Sequence, residues 1–321
     1  MVVANLLTIF ELFIHLVIKH EEPNCSWSFG YGSNMDITHL RIKKNLTVYD
    51  HKPAILDGYR LSFNMVTDWL AEPAFAGIVP DQTSQVHGLA FCVPQESLDH
   101  LNSQERWYEI QSVSVETYDG EMLPDVHVYV SPKKFINTEE KAPSRRYLNI
   151  IRKGATNIGL KPEYLAKLNE IQPYQPSDAV LQIRQNRPKP SELPLITVDE
   201  LFATKNSTQH WISVLGYIVD IGGSQSRVHK SYKRSGRDLT TRNLMGYHDI
   251  PKDKNDDWGR PPYPIIDDLS THELDHLLTH LDSWHIKNVT TLTLNPIVGY
   301  LKEFHDQQLS GETEFRLPPR V

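Results

Sequence analysis

The chain has 321 residues, about two domains' worth, and its 39% hydrophobic and 23% charged residues are the balance of a globular protein with a buried core. Its 33 lysines and arginines against 40 aspartates and glutamates leave a net charge of -7, which argues against a general nucleic-acid binder, since phosphate binding needs a basic field. Only two cysteines, Cys25 and Cys92, exclude a disulfide-stapled scaffold and a cysteine-rich zinc site, and leave the redox compartment open.

Residues 2–18 are mostly apolar. They read as the core of a signal peptide or short anchor, or as a leader that packs or frays in a cytoplasmic protein. No basic segment precedes them, and Glu11 and His15 interrupt the run; a charge inside a membrane segment costs on the order of 3 kcal/mol. Four Asn-x-Ser/Thr sequons, beginning at Asn24, Asn45, Asn206 and Asn288, permit export without requiring it. A cytoplasmic location is expected, with secretion or anchoring through residues 2–18 as the alternative. Membrane association is expected only if that segment is retained.

Residues 27–31 read as a strand running into a glycine turn, and 36–44 as a short helix with Ile37 and Leu40 one turn apart. Residues 54–65, 86–93 and 112–116 are strand-like, and the last enters a hairpin at Asp119-Gly120 from which 126–130 returns. A helix is expected over 145–156, a break at Gly159, and a further helix opened by Pro162. The stretch 176–194, with Pro176, Pro188, Pro190 and Pro194, reads as a linker. It separates a first domain over 24–175, preceded by the 1–23 leader, from a second over 195–321. The fold class is α+β: a small mixed β-barrel with flanking helices, plus a second, smaller α+β domain.

Phe29-Gly30-Tyr31-Gly32-Ser33-Asn34-Met35 turns a strand through glycines into a helix. That geometry points unpaired N–H groups at an anion, and Gly32 supplies both backbone freedom and close approach. An ordinary tight turn would look the same. The stretch 98–105 is helical and places Glu105 at its end, shortly before Tyr108 and the strand at 112. A carboxylate there is partly desolvated, which suits proton exchange, although most helix glutamates are merely solvated.

Together these pieces resemble the γ-glutamyl cyclotransferase family over residues of about 27–175. The matching blocks are Tyr31-Gly32-Ser33-Asn34, Leu56-Asp57-Gly58-Tyr59-Arg60-Leu61, the segment from Leu98 to Glu105, and Pro143-Ser144-Arg145-Arg146-Tyr147, continued by Gly154-Ala155, Gly159-Leu160 and Glu163-Tyr164. The resemblance implies a small barrel, a substrate-binding loop at Tyr31, Gly32, Ser33, Asn34 and Met35, catalysis by Glu105, and Tyr147 at the pocket mouth. Tyr108 and Tyr129 are further lining candidates. It also implies release of 5-oxoproline from a small γ-glutamyl amino acid or peptide, with no cofactor, no metal and no nucleic-acid partner; a homodimer is allowed. Arg106 stands where the family usually has glycine, and the loop from Glu105 to Tyr108 is short. Both bear on leaving-group choice and leave a binding protein without turnover as the alternative. The Ser-Asn form of the loop is closer to the general γ-glutamyl-amino-acid branch than to the glutathione-specific one.

In the second half, His272-Glu273-Leu274-Asp275-His276 fits the HExxH zinc-protease pattern. Ser270 and Glu273 form a capping box, however, and Leu274, Leu277, Leu278 and Leu281 define an apolar face. His272, His276 and His280 are therefore expected on the opposite, solvated side. The basic run 227–234, with Arg237 and Arg242, reads as a solvated loop. Asp253, Asp256 and Asp257 lack the glutamate an EF-hand needs. Residues 196–221 and 236–240 loosely resemble a cytochrome b5-like domain without its His-Pro-Gly-Gly haem-ligand segment, which suggests a haem-free relative serving as an interaction or stabilising module.

Overall fold

The computed structural model describes residues 24–136, 139–222, 234–245 and 259–311. The leader, most of the basic run and the aspartates at 253–257 lie outside the described residues. No described helix is long and apolar enough to cross a membrane.

Alternating apolar positions build the first half as strands. β1 (Ser26–Gly30), β2 (Asp50–Val66), β3 (Ala74–Val93), β4 (Glu109–Thr117) and β5 (Met122–Val130) form a closed barrel in the order β1-β3-β2-β4-β5. The parallel pairing of β1 with β5, Ser28 opposite His127, shuts the cylinder. Inward residues Phe29, Ala54, Leu56, Val115, Val126 and Val128 fill it. β3 is far longer than the expected 86–93, because the register with β2 jumps across residues 81–84. There the Asp81 carboxylate accepts bonds from the Thr83 amide and hydroxyl and from Ser84, so the excursion satisfies its own polar groups.

α1 (Gln95–Gln104) follows β3, and after β5 come α2 (Lys133–Ile136), α3 (Arg145–Asn157) and α4 (Pro162–Glu170). α3 starts where Ser144 Oγ accepts the Tyr147 amide at 3.0 Å. It buries Tyr147, Leu148, Ile151 and Ala155 against the barrel. The proline-rich stretch is not bare linker: it holds α5 (Asp178–Gln185), capped by Ser177.

The second half is a five-stranded sheet in the order β6-β12-β8-β7-β9, built from β6 (Leu195–Ile196), β7 (Trp211–Val214), β8 (Tyr217–Asp220), β9 (Arg237–Asp238) and β12 (Ile297–Leu301). A two-stranded ribbon, β10 (Ile286–Asn288) with β11 (Thr293–Leu294), stands apart from it. The helices are α6 (Val198–Ala203), α7 (Thr240–Met245), α8 (Thr271–His285) and α9 (Lys302–Ser310). The capping box at Ser270 and Glu273 forms as expected, and Leu277 and Leu281 are buried in this core.

Two polar expectations are corrected. Arg237 is not in a solvated loop; it lies in β9 and is 1% exposed. His280 is 1% exposed and His276 half-buried, while His272 alone of the three is exposed. The reason is that α8 is covered on both sides, by its own sheet and by the barrel half. Trp69, from the β2–β3 connection, packs edge-on against Trp284 at 4.6 Å and near His280 at 6.1 Å. Ser283 Oγ accepts the Ala71 amide at 2.9 Å. From α5, Arg184 reaches the fully buried Asp282 at 2.6 Å, and Arg187 joins it.

A contact absent from the sequence reading is the Cys25–Cys92 disulfide, which staples the entry of β1 to β3. Asn24, Asn45 and Asn288 are exposed.

Candidate functional site

β1 ends at Gly30, and the chain turns through Tyr31 and Gly32 into a single 3-10 turn, Ser33–Met35, rather than directly into an α-helix. A π-type turn over His39–Lys43 follows. The turn's own bonds use the amides of Met35, to Gly32 O at 3.1 Å, and Asp36, to Ser33 O at 3.4 Å. They do not use those of Ser33 and Asn34. A Cβ on Gly30 would collide with the Asn34 carbonyl. Gly32 has a φ of -113° and a ψ of -133°, outside both the helical and the extended regions. A Cβ there would sit 3.1 Å from the Tyr147 hydroxyl. Met35 is fully buried and Ser33 half-buried.

Glu105 caps the C-terminus of α1, its amide donating to Leu101 O at 3.0 Å. The side chain is 14% exposed. Its Oε1 accepts from Asn34 Nδ2 at 3.0 Å, which joins it directly to the glycine-rich turn, and from Lys44 Nζ at 2.8 Å. Lys44 is a site residue that the sequence reading missed. Nothing in a lysine that ends a short turn signals a pairing across 61 positions.

The tyrosines named from the sequence surround this carboxylate. Tyr31 Oη donates to Tyr129 O, Tyr108 Oη donates to Ala76 O at 2.8 Å, and Tyr147 Oη accepts the Ala76 amide at 3.2 Å. Tyr129 Oη donates to Asn102 Oδ1 at 2.7 Å. Burial, with the Glu105 charge adding to it, raises the pKa of all four phenols above the usual tyrosine range. They are therefore neutral groups committed to fixed partners. Arg106 is exposed and lies over the Trp107 ring at 5.9 Å.

A second missed feature buttresses Tyr147. Glu72 is buried, accepts two bonds from Arg146 at 2.8 and 2.6 Å and a third from Ser144 at 2.6 Å, and so ties the Trp69 connection to the start of α3. A separate cleft of about 490 Å³, lined by Arg60, Glu140, Tyr164 and Lys167 among others, contains none of the candidate residues. Among the described residues no three histidine, cysteine or carboxylate side chains converge on a metal position. His276 of the HExxH pattern instead faces Asn243 O at 3.3 Å.

A family model described as gamma-glutamyl cyclotransferase, AIG2-like, matches residues 28–149, the segment carrying both the turn and Glu105. A gamma-glutamylcyclotransferase from Bos taurus is 28% identical over 152 residues, covering 45% of this chain and 78% of the bovine protein. Among solved structures, an uncharacterized protein from Homo sapiens is 25% identical, covering 50% of this chain and 97% of its own, with a TM-score of 0.41. A structure of gamma-glutamyl cyclotransferase is 24% identical, covering 50% of this chain and 98% of its own, also with a TM-score of 0.41.

Proposed function

Because residues 28–149 belong to the γ-glutamyl cyclotransferase, AIG2-like family, we propose that the protein is a γ-glutamyl cyclotransferase whose general acid/base is Glu105. The substrate's own α-amine attacks its γ-carbonyl and closes a five-membered ring. Nucleophile and electrophile share one molecule, so the protein's main task is to hold a near-attack conformer. The α-nitrogen–carbonyl bond forms and the γ-amide bond breaks. Two protons pass in total from the α-ammonium to the departing nitrogen, giving 5-oxoproline and a free amino acid or peptide. Glu105 carries them.

The observation that supports this reading most is the placement of Glu105: 14% exposed, and bonded to Asn34 of the turn at 3.0 Å. A carboxylate so enclosed trades protons with a bound amine rather than with bulk water. The amides of Ser33 and Asn34 are the groups suited to the α-carboxylate or to the oxyanion that develops on the γ-carbonyl. Tyr31, Tyr108, Tyr129 and Tyr147 shape the wall. The substrate is a small γ-glutamyl amino acid or peptide.

The test is release of 5-oxoproline from γ-glutamyl-alanine, glutathione and γ-glutamyl-lysine. Turnover of the first is expected, and Glu105→Gln, which keeps the shape but shuttles no proton at neutral pH, should lower it by about 10²- to 10⁴-fold. Activity surviving that substitution would remove the mechanism. Tight binding of γ-glutamyl-alanine with no turnover would favour a binding protein instead.

A further inference from the structure

The Lys44–Glu105 pair is an odd possession for a base. Lys44 Nζ lies 2.8 Å from Glu105 Oε1, and the two side chains are 15% and 14% exposed. A lysine in that position competes with any proton donor for the same oxygen. The pairing is built in rather than incidental: the Lys44 carbonyl accepts Gln104 Nε2 at 3.3 Å, which ties the backbone at Lys44 to the last residue of α1. Beside the pair, Asn34 turns its Nδ2 to Glu105, since a carboxylate only accepts. Its Oδ1 is then left as a buried acceptor with no partner. An unsatisfied buried acceptor of this kind is destabilising, and an incoming N–H donor removes that penalty.

The site without substrate thus holds one cation, one anion and one orphaned acceptor. A γ-glutamyl group carries an α-ammonium and an α-carboxylate on the same carbon, so its two charges are separated by roughly the span of a single ion pair. We propose that Lys44 is the anchor for this α-carboxylate, and that substrate binding is an exchange of ion pairs. The α-ammonium replaces Lys44 at Glu105 and donates also to Asn34 Oδ1, while the α-carboxylate takes over Lys44.

The exchange keeps every buried charge partnered. A ligand with the ammonium alone would take Glu105 and strand the Lys44 cation, the expensive case for a desolvated charge. Selectivity for an acyl group bearing an α-carboxylate follows. So does timing: Glu105 is released to accept a proton only when the correct substrate has drawn Lys44 away. With the carboxylate on Lys44, the Ser33 and Asn34 amides remain for the oxyanion.

The inference rests on the cyclotransferase reading, and a two-way comparison separates them. The full chain and its Lys44→Met and Lys44→Arg variants are assayed with three compounds. These are γ-glutamyl-alanine, N-(4-aminobutanoyl)-alanine, which lacks only the α-carboxylate, and γ-glutamyl-alaninamide, which lacks only the leaving-group carboxylate. The wild type is expected to prefer the first over the second by about 10- to 100-fold in kcat/KM, the worth of one charged hydrogen bond. In Lys44→Met that preference should collapse while the ratio of the first to the third stays put, and Lys44→Arg should restore part of it. A preference unchanged in Lys44→Met overturns the assignment. Loss of the alanine-over-alaninamide preference also overturns it, because Lys44 would then serve the leaving group. No ring-closed product from any of them, 5-oxoproline from the first and third or 2-pyrrolidinone from the second, refutes the catalytic reading alone. Calorimetric binding of γ-glutamyl-alanine then decides: weaker binding to Lys44→Met than to wild type sustains the anchor, and equal or absent binding removes it.

Discussion

At the scale of single residues, the site is defined by what each side chain cannot do. The four phenols cannot titrate near neutrality, because burial holds them protonated and their hydroxyls are engaged with Tyr129 O, Ala76 and Asn102. Gly32 cannot become larger without moving Tyr147. The Gly32→Ala protein should therefore fold with a near-normal melting temperature yet lose at least about tenfold in kcat/KM for γ-glutamyl-alanine, since small misplacements of a positioning wall are costly to catalysis. Full activity in Gly32→Ala would show that the Tyr147 wall is not part of the pocket. The Tyr-Gly-Ser-Asn block was legible because its chemistry is local in sequence. Lys44 was not, because its meaning lies entirely in a partner 61 residues away.

Among the elements, β1 carries the most consequence for its length. Five residues deliver the turn to Glu105, and the strand is held by pairing with β3 and β5 and by the Cys25–Cys92 staple at its entry. A cross-link spanning 67 residues of sequence constrains the unfolded chain, and removal of a native disulfide typically costs about 2–5 kcal/mol. Denaturant titration should accordingly find Cys25→Ser/Cys92→Ser less stable by an amount in that range, with reductant producing a similar loss in the wild type and none in the variant. A midpoint insensitive to both would show that the thiols are not joined in solution. Strand existence was readable from alternation, whereas the length of β3 was not: residues 81–84 break the pattern with polar side chains that bond to one another.

At the scale of the whole molecule, the second half is built into the first. Trp69 and Ala71 dock on α8, and the same connection carries Glu72 to Arg146 and so to the start of the helix bearing Tyr147. This docking buries histidines. Desolvation, the first cause in each case, lowers His276 to about 4 and pushes His280 and His285 down as well. In the unfolded chain these groups take up protons near pH 6.5, so acidification favours unfolding from that pH downward. Asp238 works in the opposite direction. Burial raises it to about 6, so the folded state binds its proton first and regains stability as pH falls from about 6 toward the ordinary carboxylate range. Burial lowers His87 as well, so four histidines against one aspartate give a net loss of stability between pH 7 and 5. Urea midpoints should fall over that interval, and fall more steeply below pH 6 in Asp238→Asn. A midpoint that rose on acidification would contradict the buried, neutral state of the histidines.

The sequence by itself determined the elements that depend on near neighbours. These are the alternating strands of the first half, the Asp119-Gly120 hairpin, the cap at Ser270, the proline that opens α4, and the ordered blocks over about 27–175 that resemble the γ-glutamyl cyclotransferase family. Only the tertiary structure decided which polar side chains lose water. His280 and Arg237 read as solvated because the first sits opposite an apolar face and the second in a basic run; His280 is buried because the barrel half packs Trp69 against it, and Arg237 because it pairs into the second-half sheet and lies over the Phe202 ring. It likewise decided that Lys44 meets Glu105 and Cys25 meets Cys92. Periodicity reports which side of an element is apolar, but not what arrives on the other side, and long-range pairing of charges or thiols leaves no mark on local spacing.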